Sequence, residues 1–461
     1  MKKLVILFLF PAISTIASAQ PALNGSWEGT ITIQDQELGI ILHIDGEPGN
    51  YFGTLDIPAQ GGSDLPLMYV VVRDDSVSTA FNTGTSIGEF KGHFVDEHSI
   101  EGTYIQAGSS FPFRVDRQNS SSVDVVEAGT GQELIIPNGE IDIAGTLVLP
   151  GEANQTKIVI LLSGSGAQNR DSEIMGFKPF ADIAEHLKSQ GISSFRFDDR
   201  QTGRSSGNFS DASLSTLASD VNAIIQFLQD SVGTQFEEIV LLGHSQGGIV
   251  ATEVARTSSE VDQLILMASP AVSMVRILRY QVRRAYEQIG LSSETIENEI
   301  EAREDLMRVI SNNEGIDTAM ELYKQAYGEI LNSLSEEQLQ AVPEDREGFI
   351  ERQANQLVSF YRSPQMNSLL FHNPTEDLSE LSIPVLVLFG GKDTQVPYEL
   401  NEQPVREALG EAGTEFEVNV IENANHLFQE AETGDVAEYA TLEKAFIDGF
   451  LSTLSEWILA H

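Results

Sequence analysis

The sequence predicts an α/β protein with a mostly parallel central sheet, a helical insertion, and an N-terminal antiparallel β barrel or sandwich. Three observations predict it. From Gly25 to Arg117 short runs alternate apolar with polar residues and end in Gly, Asp, Asn or Pro. Beyond Glu133 the runs become apolar on both faces and are separated by amphipathic helical patterns, the signature of strands buried between two helical layers. From Ala271 to Asp377 the text is helical and holds no strand, too long for a simple connection.

The chain opens with Lys2, Lys3, the apolar run Leu4 to Phe10 and the small triplet Ala17-Ser18-Ala19, which predict a secretory signal over residues 1–19, cleaved after Ala19. The expected location is therefore the periplasm or the outside of the cell. Residues 25–117 contain GSWEGTITI, LGIILHIDG, YFGTLDIP, LMYVVVRDD, VSTAFN, IGEFKGHF, SIEGTYIQ and FPFRVDR, regular enough for a closed or sandwiched sheet. His43, His93 and His98 lie in separate segments, so no metal site is expected there. A Ser-, Asp- and Glu-rich stretch marks a linker at 118–132.

Residues 133–270 and 378–461 form the expected α/β core, with strands in GTLVLP, KIVILLSG, ISSFRFDD, EEIVLLG, QLILMAS, IPVLVLFG and FEVNVIE. Helices are expected at Phe180 to Gln190 and Leu214 to Leu228. The insertion at 271–377 reads as a lid: Met274, Leu278, Val282, Tyr286 and Ile289 share one helix face, Ser293 is placed to cap a second helix, and Asp317 to Leu334 and Glu336 to Tyr361 supply two more. Its apolar stripes are expected to face the sheet rim and the substrate.

Composition narrows the partners. The net charge is −42, or −44 once Lys2 and Lys3 leave with the signal, which opposes binding to nucleic acid or an anionic membrane surface. Basic residues are 9 Lys against 18 Arg, a lysine-poor acidic balance that serves solubility and is also met in saline habitats. No stretch after the signal approaches the roughly 18 apolar residues of a membrane span. With no cysteine there is no disulfide and no thiol nucleophile. The oligomeric state is not written in the sequence.

The chemistry centres on Ile239 to Ala251, IVLLGHSQGGIVA, where an apolar run ends in Gly243-His244-Ser245-Gln246-Gly247. Small residues at both ends let strand and helix approach closely while the serine oxygen is lifted clear of the backbone. The Gln246 amide and the helix N-terminus then face a developing oxyanion. A serine hydroxyl needs a neutral imidazole and an orienting carboxylate. Asp393, after IPVLVLFG, and His426, after FEVNVIE, stand in the required order, with Glu399 a less well placed acid. A second oxyanion donor is expected in Ser163-Gly164-Ser165-Gly166-Ala167-Gln168: the amide of Ser165, or alternatively of Gly166. Asp198, Asp199, Arg200 and Arg204 read as turn and salt-bridge residues. Nothing in the pattern asks for a cofactor or metal.

GHSQGG, SGSGAQNRD, FRFDDRQTGRSSG, GGKDTQVP and NANHLFQEAETGDVAEY resemble the secreted bacterial α/β-hydrolase esterases with an N-terminal β domain, a group described as serine aminopeptidase-like. The resemblance is strong from Glu133 onward and weak over the β domain. It implies an α/β-hydrolase fold and cleavage of small-molecule carboxylic esters by a triad of Ser245, Asp393 and His426. Two residues depart from the group: Ser163 replaces the histidine of an HG pair, and Gln201 replaces the glycine after Asp-Asp-Arg. A proline-type aminopeptidase is the alternative enzyme, for which Glu294, Glu297 and Glu301 in the lid could bind a free amine. From another class, the alternative is a carbohydrate- or partner-binding protein on an inactive hydrolase scaffold.

Overall fold

In the computed structural model the described residues are 23–33, 36–47, 50–57, 62–73, 75–82, 87–106, 109–117, 131–151, 156–231, 236–339, 342, 345–439 and 441–461. The signal at 1–19 and most of the 118–132 linker lie outside them.

The alternating region folds into eight strands: β1 (Gly25–Ile33), β2 (Gln36–Glu47), β3 (Asn50–Ile57), β4 (Gly62–Arg73), β5 (Ser76–Asn82), β6 (Ile87–Phe94), β7 (Ser99–Gln106) and β8 (Ser109–Arg117). Each pairs antiparallel with the next, and β8 returns to β1 to close a barrel. Alternation sends Trp27, Leu55, Phe90 and Val115 into one interior core. Trp27 donates its indole N–H to the Leu23 carbonyl at 2.8 Å, and the Arg117 guanidinium lies 4.3 Å over its ring. His43 shares a 2.8 Å bond with the Ser26 hydroxyl.

The second sheet has eight strands in the order β16-β15-β14-β13-β11-β12-β10-β9. They are β9 (Gln132–Asn138), β10 (Ile141–Val148), β11 (Lys157–Leu162), β12 (Ser193–Phe197), β13 (Glu238–His244), β14 (Gln263–Met267), β15 (Val385–Gly390) and β16 (Phe416–Ile421). β10 runs antiparallel to β9 and β12, and the other pairs are parallel. β9 is a strand the sequence did not announce: it begins inside the expected linker, and Pro137 disguises it, yet an edge strand tolerates proline.

Period two explains the doubly apolar runs. Ile158, Ile160, Ile239, Leu241, Leu264 and Leu266 pack against α2 (Leu214–Ser231), α3 (Gln246–Thr257) and α11 (Tyr398–Ala412). Val159, Leu161, Val240, Leu242, Ile265 and Met267 turn to the opposite face, against α1 (Pro179–Ser189) and α12 (Phe450–Ala460).

Between β14 and β15 stand α4 (Met274–Gln288), α5 (Ser293–Asn312), α6 (Ile316–Ser333), α7 (Glu336–Leu339), α8 (Arg346–Arg362), α9 (Pro364–Leu370) and α10 (Pro374–Ser379). The expected helix from Glu336 to Tyr361 is two pieces, with Pro343 in the sequence between them. Ser292 rather than Ser293 caps α5, its hydroxyl accepting the Thr295 amide. Met274 and Leu278 pack with Val275, Met307 and Tyr361 in the lid's own core. Glu299, fully buried there, pairs with Arg303, which also donates to the Tyr323 and Tyr361 hydroxyls. Glu294 and Glu301 are exposed, whereas Glu297 bonds Arg279 and Arg283. The barrel rests on this lid, where Ala80 and Tyr69 meet Leu331, Phe349 and Ile350. Among the described residues no helix is long and apolar enough to cross a membrane.

Candidate active site

Ser245 sits between β13 and α3 with φ 53° and ψ −123°, a backbone region that L side chains rarely adopt. What fixes it is the closeness of everything around it. A Cβ on Gly243 would stand 2.4 Å from the Gly247 carbonyl oxygen, and one on Gly247 would stand 2.2 Å from that of Ser163. The Ser245 amide donates to Met267 at 2.8 Å, and its side chain makes no capping bond to the helix it starts. The glycines of the motif are thus steric requirements, and the serine hydroxyl is not consumed by capping.

His426 Nδ1 and Asp393 Oδ2 are 2.7 Å apart, both residues buried. Asp393 Oδ1 accepts the amides of Gln395 and Val396 at 2.8 and 2.9 Å, so its carboxylate meets only donors. Glu399 is exposed on the first turn of α11 and is not His426's partner. The histidine loop is tied by Asn425, fully buried, whose side-chain oxygen accepts the amides of Leu427 and Gln429.

His244, next to the serine, escaped the sequence analysis. Its Nε2 lies 3.0 Å from the His426 carbonyl oxygen, and the two rings are 4.7 Å apart. Burial, then the neighbouring His426, lowers its pKa to about 3, so it is a neutral donor across the working range.

The loop after β11 lies against the serine through Gly164, where a Cβ would be 3.3 Å from Ser245 Cβ. The peptide after Gly164 carries the Ser165 amide, while Gly166 is one residue further, with φ 82°. Asp199 holds this loop: its Oδ2 accepts the Ser163 hydroxyl at 2.6 Å and the Gln168 amide at 2.9 Å, and its own amide donates to the Gln168 carbonyl. The expectation of a salt bridge holds for Asp198 with Arg170, Arg200 with Asp220 and Arg204 with Glu133. Asp199 differs, having hydrogen-bond donors instead of a cation. Ser163, in the place of the usual histidine, is one of them. Burial raises Asp199 to about 7 against the pull of those donors. Gln201, in the place of the usual glycine, adopts φ 72°, which is why glycine suits the position.

Beside Gln246 lies a small cleft with a cavity of about 30 Å³. Leu162, Phe197, Phe209, Leu217 and Val250 line it with apolar surface, beside Asp199, Gln246 and the ion-paired Asp198, Arg200 and Asp220. All of its lining residues come from the α/β core, and none from the lid.

Residues 174–334 match the profile of the serine aminopeptidase S33 family and residues 349–454 that of the dienelactone hydrolase family. These two hydrolase-family matches fall on the α/β sheet and its helical insertion, and the N-terminal antiparallel barrel lies outside both. Among curated relatives, an esterase of Thermotoga maritima, EstD, is 22% identical over 318 residues, 69% of this chain and 65% of that protein. A multifunctional-autoprocessing repeats-in-toxin protein of Vibrio cholerae is 24% identical over 37% of this chain and 4% of its own length. The chain thus spans less than two thirds of these relatives. Among solved structures, an esterase of Pyrococcus furiosus aligns with TM-score 0.42 and 15% identity over 72% of this chain and 90% of its own. A proline iminopeptidase of Mycobacterium smegmatis aligns with TM-score 0.42 and 17% identity over 72% and 98%.

Proposed function

We propose that this protein is a secreted serine hydrolase that cleaves carboxylic esters of small or medium acyl chains through an acyl-enzyme on Ser245. The observation that carries the reading is the His426–Asp393 pair, set in loops that follow β16 and β15, with Ser245 on the sharp turn after β13. His426 Nε2 takes the serine proton as Oγ attacks the ester carbonyl, and gives it to the departing alcohol. Asp393 holds Nδ1–H and balances the imidazolium. The amides of Gln246 and of Ser165, with Gly166 as the further choice, receive the oxyanion. Water then repeats the sequence on the acyl-enzyme and frees the acid.

Leu162, Phe209, Leu217 and Val250 in the wall of the cleft beside Gln246 support an acyl chain as its occupant. The aminopeptidase alternative draws on the S33 family match, but Glu297 is already bound to two arginines. Labelling with a fluorophosphonate tests the serine chemistry: the wild type should label and Ser245→Ala should not. Comparing p-nitrophenyl esters with amino-acid p-nitroanilides then separates esterase from peptidase. A wild type that resists the probe would return the chain to the alternative of a binding protein on an inactive scaffold.

A further inference from the structure

Tyr439 is buried and lies outside the proposed triad, yet it touches both loops that carry Asp393 and His426. Its hydroxyl accepts the side-chain amide of Gln395 at 3.1 Å, and its ring packs on Leu427, the residue after His426. Gln395 supplies one of the two amides on Asp393 Oδ1, and its carbonyl oxygen accepts Gln281 Nε2 of lid helix α4 at 3.0 Å. A second tie from α4 reaches the same region: Arg284 donates to Asp435 Oδ1 at 2.6 Å, and Asp435 opens the short turn Val436–Glu438 that leads into Tyr439.

That turn is itself held firmly. The Glu438 carboxylate accepts the amides of Glu432, Thr433 and Gly434 at 2.7, 3.0 and 2.8 Å and the Thr433 hydroxyl at 2.6 Å. Burial works against the charge, but these donors outweigh it and hold the carboxyl down to about 2. Tyr439 is therefore a fixed post, with its ring packed on Phe177 and Leu427.

We propose that Tyr439 is a positioning residue that, through Gln395, fixes the Asp393 carboxylate that orients His426, and that Gln395 links it to the seat of helix α4. The inference rests on the serine-hydrolase reading. Without the hydroxyl, the Gln395 side-chain amide loses its acceptor, and the segment whose amides hold Asp393 Oδ1 loses a tie. The Asp393–His426 pair is then less fixed, and sub-ångström errors in a base are felt in the chemical step before they are felt in binding.

Tyr439→Phe keeps the ring and removes the oxygen. The expected result is a kcat for p-nitrophenyl butyrate lower on the order of tenfold, with KM within about twofold. Fluorophosphonate labelling should slow by the same factor, because it uses the same base. Gln395→Leu should lower kcat a few fold alone and add nothing in the Tyr439→Phe background, since both act through one hydroxyl. Unchanged kcat in Tyr439→Phe, a loss carried by KM, or independent addition of the two effects overturns the proposal. If Tyr439→Phe folds poorly, Gln395→Leu, at a half-buried position, decides: it must still lower kcat with KM unchanged. A wild type that does not label refutes the serine chemistry itself; a labelled wild type with insensitive variants refutes only the role of Tyr439.

Discussion

Gln365 Nε2, on lid helix α9, donates to Gln246 Oε1 at 2.8 Å, and both side chains are buried. The residue proposed as first oxyanion donor is thereby braced from the lid side. Replacing Gln365 by leucine leaves a buried carboxamide oxygen without its donor, and the first turn of α3 less fixed. We expect kcat on short esters to fall on the order of tenfold, with the melting temperature little changed. A steady-state comparison checks this, and an unaltered kcat would make the contact a packing detail.

Asp393→Asn should lower turnover by about 10⁴. The two amides on Asp393 Oδ1 fix which way an asparagine sits: its oxygen must face Gln395 and Val396, so its NH₂ faces His426 Nδ1. The imidazole is then forced to carry its proton on Nε2, where the serine proton must go. Near-normal turnover would move the acid to another residue, with Glu399 next to test.

Asp199 gives a pH signature. Its pKa is raised to about 7 in the folded protein against about 3.9 when unfolded. The contribution to stability is therefore full below about pH 4 and is lost as pH rises through about 7. In Asp199→Asn that loss disappears, so the stability of the variant relative to wild type should increase between pH 5 and pH 8. Urea unfolding at the two pH values measures it; a constant difference would mean that Asp199 does not titrate in this window.

The cleft predicts which residues read chain length. Leu217→Phe should narrow it and lower kcat/KM for p-nitrophenyl octanoate relative to acetate on the order of tenfold. Leu278→Ala, in the lid's own core, should leave the ratio alone. The opposite pattern would place the acyl chain under the lid.

Deleting residues 25–117 should leave a folded domain that still labels at Ser245 within a few fold, because the proposed triad and oxyanion donors lie in the α/β core. The cut uncovers Leu331 and Phe349, so the truncated protein should be less soluble. Loss of labelling together with cooperative melting would make the barrel a buttress of the lid and hence of the site.

The strands were legible because two-sided burial writes itself as an unbroken apolar run, and Ser245, Asp393 and His426 because each follows such a run. β9 was hidden by Pro137, which forbids a central strand but not an edge. The split after Leu339 was hidden because helical spacing continues across it. His244, Gln365 and Tyr439 were invisible for another reason: each acts through one bond to a residue far along the chain, and no local period records that. The departures at Ser163 and Gln201 could be seen as unusual, but that one donates to Asp199 and the other adopts a left-handed backbone needed the structure.

The two sheets differ in how they end. The barrel closes on itself, whereas the α/β sheet stops at β9 on one side and β16 on the other, each bonded to a single neighbour. An open edge invites another chain to add a strand, and the usual deterrents are proline and charge. β9 carries Pro137, exposed and without an N–H to offer, and Glu133, held by Arg170 and Arg204. β16 carries an exposed Glu417 and follows an exposed Glu415. Two copies meeting at the β16 edge would bring like charges together, so the acidic residues there guard the open backbone against templated self-association, as Pro137 does at β9.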